Sequence, residues 1–379
     1  MMGSDNKDNT RHGKGRWRKR LIYGVYLSIM VLLMLELALR IYNPFHFRLK
    51  GDHLLLPVDQ RETIVNRINP KLDPVIFNSR NSLGFRGPEP PGPSEWAKMH
   101  PVITIGGSTT ECHFLSDSLT WPYLLERRLS DSIPGIWLDN AGLDGQSTFG
   151  HIVMLNDHVK QLRPWMVIFL TGINDMETDQ PSFHDKLYER GAYPDLKHWL
   201  FNNSEVLNLG LNLWRAARAR RFNNTTDRMI ALDPSRRLLL PDSAIRARVA
   251  AQDPYLAGYK ARLNRLADTC LAWKIRPVFV TQPDLFGFGR DPVTGTDLAA
   301  FPVDDGVNGR LLWEMLERYN DVVRKMCADK GLLMIDLARL MPKNSLYFYD
   351  MSHFTNAGAA EVAGLLAPAI DSMFRAVYR

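Results

Sequence analysis

The sequence predicts an α/β protein in which a parallel sheet is covered by helices on both faces, preceded by one membrane-spanning helix. Two observations carry that reading. Short β-rich runs alternate with longer helical patterns from residue 102 onward, the order expected of crossover-connected parallel strands. Ahead of them stands LIYGVYLSIMVLLMLELALRI, residues 21–41, an almost unbroken apolar run. As a helix it spans roughly 30 Å, the thickness of a bilayer's hydrocarbon core.

The elements follow in order. Residues 1–20 form a basic tail, with Lys7, Arg11, Lys14, Arg16, Arg18, Lys19 and Arg20 set against Asp5 and Asp8. The other 359 residues hold 40 basic and 39 acidic side chains, so the net charge of +6 belongs to the tail, and a nucleic-acid-binding surface is not indicated. Positive charge before the 21–41 run and little after it orients the N-terminus to the cytoplasm. No small-x-small cleavage site follows the run, which reads as an uncleaved signal anchor in the bilayer. Glu36 is its one blemish, and Arg40 at i+4 can pair with it. Residues 42–97 are rich in Pro and Gly and read as an irregular extracytoplasmic arm ending in GPEPPGPSEW.

Five strands are expected at VITI (102–105), IWLDN (136–140), WMVIFL (165–170), RPVFV (276–280) and LLMID (332–336). Helices are expected at WPYLLERRL, TFGHIVMLNDHVKQL and NGRLLWEMLERYNDVVRKMCADKG. About a hundred residues, 176–275, separate the third and fourth strands, where a crossover needs a dozen or more. They read as a helical insertion, a lid beside the site. Nine Arg against three Asp in 215–248 read as a solvated helix face, with anionic lipid or acidic glycan as the alternative. The three cysteines, Cys112, Cys270 and Cys327, have no metal-binding spacing and read as buried thiols.

In parallel sheets of this kind, ligands sit at the carboxyl ends of the strands. After the first strand comes Gly106-Gly107-Ser108-Thr109-Thr110-Glu111. After the second comes Asn140-Ala-Gly-Leu-Asp-Gly145, after the third Gly172-Ile-Asn174-Asp175, and near the C-terminus Asp350-Met-Ser-His353. Ser-x-x-Glu is also a helix capping box, so Ser108 can be an N-cap with Glu111 reaching back to it. The other strand ends supply what a nucleophilic serine needs. His353 takes the hydroxyl proton through one ring nitrogen while Asp350 holds the other. The Ser108 and Gly145 backbone N–H groups and the Asn174 side-chain amide converge on an oxyanion. His113, five residues past Ser108, is a rival base expected to point away. Asp175 reads as structural. His151, His158, His184 and His198 show no metal spacing.

These four blocks resemble those of the SGNH hydrolases, also called GDSL-like lipases/esterases. GGSTTE resembles the first block, NAGLDG the second, GIND the third and DMSH the last. NSLGFRG (81–87) and VTQP (280–283) are also similar to segments of membrane-anchored bacterial members with a GGSTT first block. The resemblance covers roughly residues 100–375. It implies a three-layer α/β/α sandwich with a five-stranded, mainly parallel, flavodoxin-like sheet in a domain of residues 98–379. It also implies Ser108 as nucleophile, Asp350 and His353 as the rest of the triad, and Ser108, Gly145 and Asn174 as oxyanion donors. Gly107 departs from the pattern, standing where the name-giving motif has Asp.

The expectation is a single-pass, membrane-anchored serine esterase in the periplasmic or extracytoplasmic space, needing neither cofactor nor metal. Its substrate would be an acyl ester, most simply acetyl, on a polysaccharide or a lipid. Two alternatives use the same scaffold. One is an O-acyltransferase modifying an exported glycan with partner proteins of polysaccharide assembly. The other is a glycan-binding or assembly factor without catalysis.

Overall fold

The computed structural model describes residues 9–43, 49–50, 53–67, 69–181, 185, 200, 203–221 and 230–378. The chain divides into two units, 1–55 with 191–224, and 56–190 with 225–379.

The larger unit is built on five parallel strands: β1 (His100–Gly106), β2 (Ile136–Asn140), β3 (Met166–Thr171), β4 (Arg276–Thr281) and β5 (Met334–Ile335). Their order across the sheet is β2-β1-β3-β4-β5, with every pair parallel. This is the flavodoxin-like order, in which the chain reverses direction across the sheet after β2. The strands read as apolar runs because both faces are covered: residues 101–106, 136–140 and 166–171 are buried without a break.

Alternate residues serve opposite layers. Val102, Leu138, Met166, Ile168, Val278 and Val280 join one core with α1 (Trp121–Leu129) and α5 (Asn356–Tyr378). On the other side α2 (Thr148–Met154), α3 (Asp253–Ala272) and α4 (Gly309–Lys330) pack together. Caps mark where these helices begin. Thr120 accepts from Tyr123 N, Ser147 from Phe149 N and Asn308 from Leu311 N, while Gly331 ends α4 at φ +64°. By length and composition α5 is apolar enough to cross a membrane, but its Val362, Leu366, Ile370 and Phe374 are core residues.

Register positions the site. Gly106 pairs with Leu170 and Thr171 with Thr281, so the loops leaving β1, β3 and β4 emerge side by side.

Two stretches differ from the sequence reading. Within 42–97, read as irregular, residues Gln60–Val65 and Val75–Arg80 form an antiparallel hairpin, and residues from 56 onward cluster with the catalytic fold. The hairpin escapes a periodicity search because Val65, Val75 and Phe77 are exposed while Asn78 is buried. Within 176–275, helix α3 is the ordinary crossover between β3 and β4, and helix Asp242–Ala250 also belongs to the larger unit. Helix Glu205–Arg221 belongs to the smaller one. Residues 186–199, 201–202 and 222–229 of the insertion, with His184 and His198, lie outside the described residues.

The smaller unit contains the helix Asn9–Ile41, whose segment Trp17–Ile41 is long and apolar enough to cross a membrane. Helix Glu205–Arg221 packs against it.

Candidate active site

Ser108 opens a single helical turn, Ser108–Glu111, directly after β1. The N-cap of this turn is Gly107, and it makes no side-chain cap bond, so the capping-box reading of Ser108 and Glu111 does not hold. Freed from capping, Ser108 Oγ lies 2.7 Å from His353 Nε2. His353 Nδ1 is 2.6 Å from Asp350 Oδ2. Asp350 Oδ1 accepts from the backbone N–H groups of Ser352, at 2.9 Å, and His353, at 2.8 Å. The carboxylate thus fixes both the imidazole and the loop carrying it, and the Tyr349 ring stacks on His353 with an interplanar angle of 10°.

Burial pushes the Asp350 carboxyl up, but the hydrogen bond and charge of His353 and the two backbone donors outweigh it and hold it below the usual carboxylate value. Burial pushes His353 down, but the Asp350 hydrogen bond and charge, with the Asp144 charge, lift it above the ordinary imidazole value. A serine, a base and an orienting acid in one hydrogen-bonded line can activate a hydroxyl for attack on a carbonyl.

Asn174 follows β3 in a short 3₁₀ turn, and its Nδ2 donates to Gln146 O at 2.9 Å. A methyl group built on Gly107 would lie 2.5 Å from that Nδ2, so the amide sits directly over the residue before the serine. This is the physical meaning of Gly107: the space a side chain would take is filled by Asn174. Gly145 occupies the third position of a turn closed by Gln146 N to Leu143 O, with φ +72°, a conformation that favours glycine. Asp175 ties the β3 loop to the start of α2 through Thr148 N, at 3.1 Å, and pairs with buried Arg262 at 3.2 Å. Burial pushes the Asp175 carboxyl up, with Arg262 opposing it.

The site also uses groups that strand-end reading passes over. Glu111, buried within the turn, accepts from Asp144 N at 2.6 Å and pairs with Arg80 of the hairpin. It therefore holds the peptide next to Gly145. Arg86 is 2% exposed and donates to Glu111 O at 2.9 Å, Cys112 O at 2.5 Å and Leu115 O, while its Nε meets Asp117 at 2.7 Å. Those carbonyls belong to the segment where Cys112 turns left-handed at φ +52°, and Cys112 O also accepts from Leu115 N at 2.9 Å. Asn140 Nδ2 donates to Thr110 O at 2.7 Å and Asn81 Nδ2 to Asp139 at 2.7 Å, closing the brace. The NSLGFRG segment was visible as a motif, but sequence does not distinguish a buried arginine from a solvated one.

Two other histidines lie near the turn. His113 Nδ1 is 3.1 Å from Asn78 Nδ2, a contact with the hairpin. His151 is buried among Gly107, Thr109, Gln146 and Asn174 around a cavity of about 10 Å³, and burial pushes it down to about 3, leaving the ring neutral. The cysteines are free and buried, and burial pushes their thiols up to about 12.

A model of the GDSL-like lipase/acylhydrolase family matches residues 104–361. The chain belongs to that family. As a GDSL-like acylhydrolase it is an ester hydrolase of the SGNH type, on a fold with the parallel sheet described above. No curated protein matches its sequence. Among solved structures it is similar to an acetylxylan esterase from Geobacillus stearothermophilus, at 14% identity and a TM-score of 0.41, over 72% of this chain and 94% of that one. It is similar also to LAE5, an alpha/beta hydrolase enzyme from the metagenome of Lake Arreo, Spain, at 16% identity and a TM-score of 0.40, over 71% and 94%.

Proposed function

We propose that this acylhydrolase is a membrane-anchored serine esterase acting outside the cytoplasm, with Ser108 as nucleophile. The observation that carries the reading is the continuous line Ser108 Oγ–His353–Asp350, at 2.7 and 2.6 Å. In the first half-reaction Ser108 Oγ attacks the ester carbonyl carbon as its proton passes to His353 Nε2. Asp350 keeps the imidazolium in place. The negative carbonyl oxygen meets the Ser108 and Gly145 N–H groups and the Asn174 amide. Collapse expels the alcohol, which leaves with the proton from His353. Water then attacks the acyl carbon as its proton passes to His353; the bond from that carbon to Ser108 Oγ breaks, the acid leaves, and Oγ takes the proton back from His353. Losing one oxyanion donor typically costs about 10²–10³ in rate.

An acetyl ester on a polysaccharide is the substrate class we favour, with a lipid ester as the runner-up. The basic tail ahead of the 21–41 run supports anchoring with the catalytic unit outside.

The test uses the full chain and its Ser108→Ala counterpart, each exposed to a fluorophosphonate probe, p-nitrophenyl acetate and acetylated xylan. Labelling and acetate release confined to the parent are expected. A folded parent that neither labels nor releases acetate would overturn the assignment. Transfer of acetyl to added sugar in preference to water would convert it to acyl transfer.

A further inference from the structure

The smaller unit shows an inverted distribution of polarity. On helix Glu205–Arg221, Asn208 and Asn212 are buried at 2% and 8% exposure, while Leu207, Leu213 and Trp214 are 39%, 53% and 57% exposed. Asn212 Nδ2 returns to Asn208 O and Oδ1, both at 2.9 Å. A helix packing in water buries its leucines and exposes its asparagines. In a bilayer the preference reverses: asparagine sits between helices and leucine faces acyl chains. The neighbour has the same polarity, since side chains 17–35 of the N-terminal helix are all exposed and mostly apolar.

The join between the two helices explains Glu36. Its carboxylate accepts from Ser204 Oγ at 2.9 Å, Glu205 N at 3.1 Å, Val206 N at 3.0 Å and Arg40 Nε at 2.8 Å. Arg40 Nη2 donates in turn to Asn203 O at 2.6 Å. The acid that blemishes the apolar run therefore caps the start of the second helix, supplying acceptors its first N–H groups need in an apolar medium. This fixes that start five residues, about 8 Å, before the end of the N-terminal helix at Ile41.

We propose that helix Glu205–Arg221 is a second membrane element, lying in the outer interface of the bilayer across the end of the spanning helix. Leu207, Leu213 and Trp214 enter the acyl region, and the helix closes on the sequence RAARARR, a basic composition that favours a surface of anionic lipid. The proposal rests on residues 21–41 spanning the membrane. Two facts make the helix interfacial and not a second span. Its first residues bond Glu36 and the preceding Asn203 bonds Arg40, both in the last turns of the N-terminal helix, while residues 17–35 stay exposed. Seventeen residues also cover only about 25 Å, short of the hydrocarbon core, and end in arginines.

The test introduces one cysteine at a time into the full chain, Leu213→Cys, Ile29→Cys or Ser243→Cys, for labelling with an environment-sensitive NBD probe. The native cysteines are buried, and brief labelling spares them. The protein is reconstituted in vesicles of phosphatidylcholine with phosphatidylglycerol, with and without doxyl-labelled lipid. The expected result is a blue shift and doxyl-dependent loss of emission at 213 and 29, with water-like, iodide-quenched emission at 243. A water-like signal at 213 beside a lipid-like one at 29 overturns the proposal alone. A water-like signal at 29 overturns the spanning reading and the proposal with it.

Discussion

Substituting Gly107 by alanine asks whether the space before the serine is what holds Asn174 in place. The new Cβ would lie 2.5 Å from Asn174 Nδ2 and 3.1 Å from Gln146 O. Ordinary contacts of carbon lie at about 3.5–4.0 Å, so the amide must retreat by about 1 Å. That breaks its 2.9 Å bond to Gln146. The backbone does not object, because φ −83° and ψ −151° at Gly107 are extended values open to alanine. The effect therefore falls chiefly on the amide, with the Gln146 carbonyl giving by a few tenths of an ångström. If Asn174 is an oxyanion donor, kcat drops by about 10²–10³, or ~3–4 kcal/mol, with little change in KM. Crowding costs the fold about 1–3 kcal/mol, visible in a thermal melt. The deciding assay is a double-mutant cycle on p-nitrophenyl acetate turnover. Gly107→Ala acting through Asn174 predicts that the pair with Asn174→Ala loses no more than the worse single variant. Losses that multiply, or Gly107→Ala turning over at the parent rate, would refute the reasoning.

Three further outcomes are expected. Asp350→Asn leaves His353 with the wrong tautomer and lowers kcat by about 10³–10⁴, measured by steady-state turnover in a variant whose melt is intact. If His353 is the base it must be neutral to accept the serine proton, and Asp350 lifts it above the ordinary imidazole value, so kcat/KM should fall as pH drops through a value above that of a free imidazole. Asp144→Asn removes one of the charges that lift it and should move that acid limb downward; a limb that stays put shows the Asp144 charge does not reach the ring. Arg86→Ala removes the buried donor shared by three carbonyls and Asp117, leaving Asp117 its bonds from Ser79 and Cys112 O its bond from Leu115 N. Stability should fall by ~3–5 kcal/mol and the melting temperature by roughly 10 °C, read by calorimetry.

The sheet was legible because burial on both faces turns each strand into a short apolar run that stands out against helical spacing. IWLDN and WPYLLERRL coincide with β2 and α1 to the residue. The candidate site was legible in part because strand ends in such sheets adjoin, so a serine, a glycine, an asparagine and an Asp-x-x-His could be collected without knowing any distance. What strand-end reading does not register is the brace. Arg80, Arg86, Glu111 and Asn140 act through contacts with backbone groups or charges up to dozens of residues away, and charged residues default to the surface when read in one dimension. The hairpin was missed for a related reason: Ile76 and Asn78 point inward together while Val75 and Phe77 point out, so polarity does not follow burial. The capping-box pattern at Ser108 misled because one helical turn is too short to need it once Gly107 accepts its N–H groups.

Arg86 also decides where this enzyme can be cut. The family match begins at residue 104, and an excised domain designed from it would start beyond Asn81 and Arg86. Such a fragment would keep Ser108, Asn174, Asp350 and His353, yet lose the guanidinium that gathers Glu111 O, Cys112 O and Leu115 O behind the serine. The boundary set by homology and the boundary set by packing differ here by some fifty residues, since the compact unit that carries the site begins at Leu56. A soluble version that begins at 104 would be missing part of its own interior, and its silence toward an ester would say nothing about the chemistry of the intact chain.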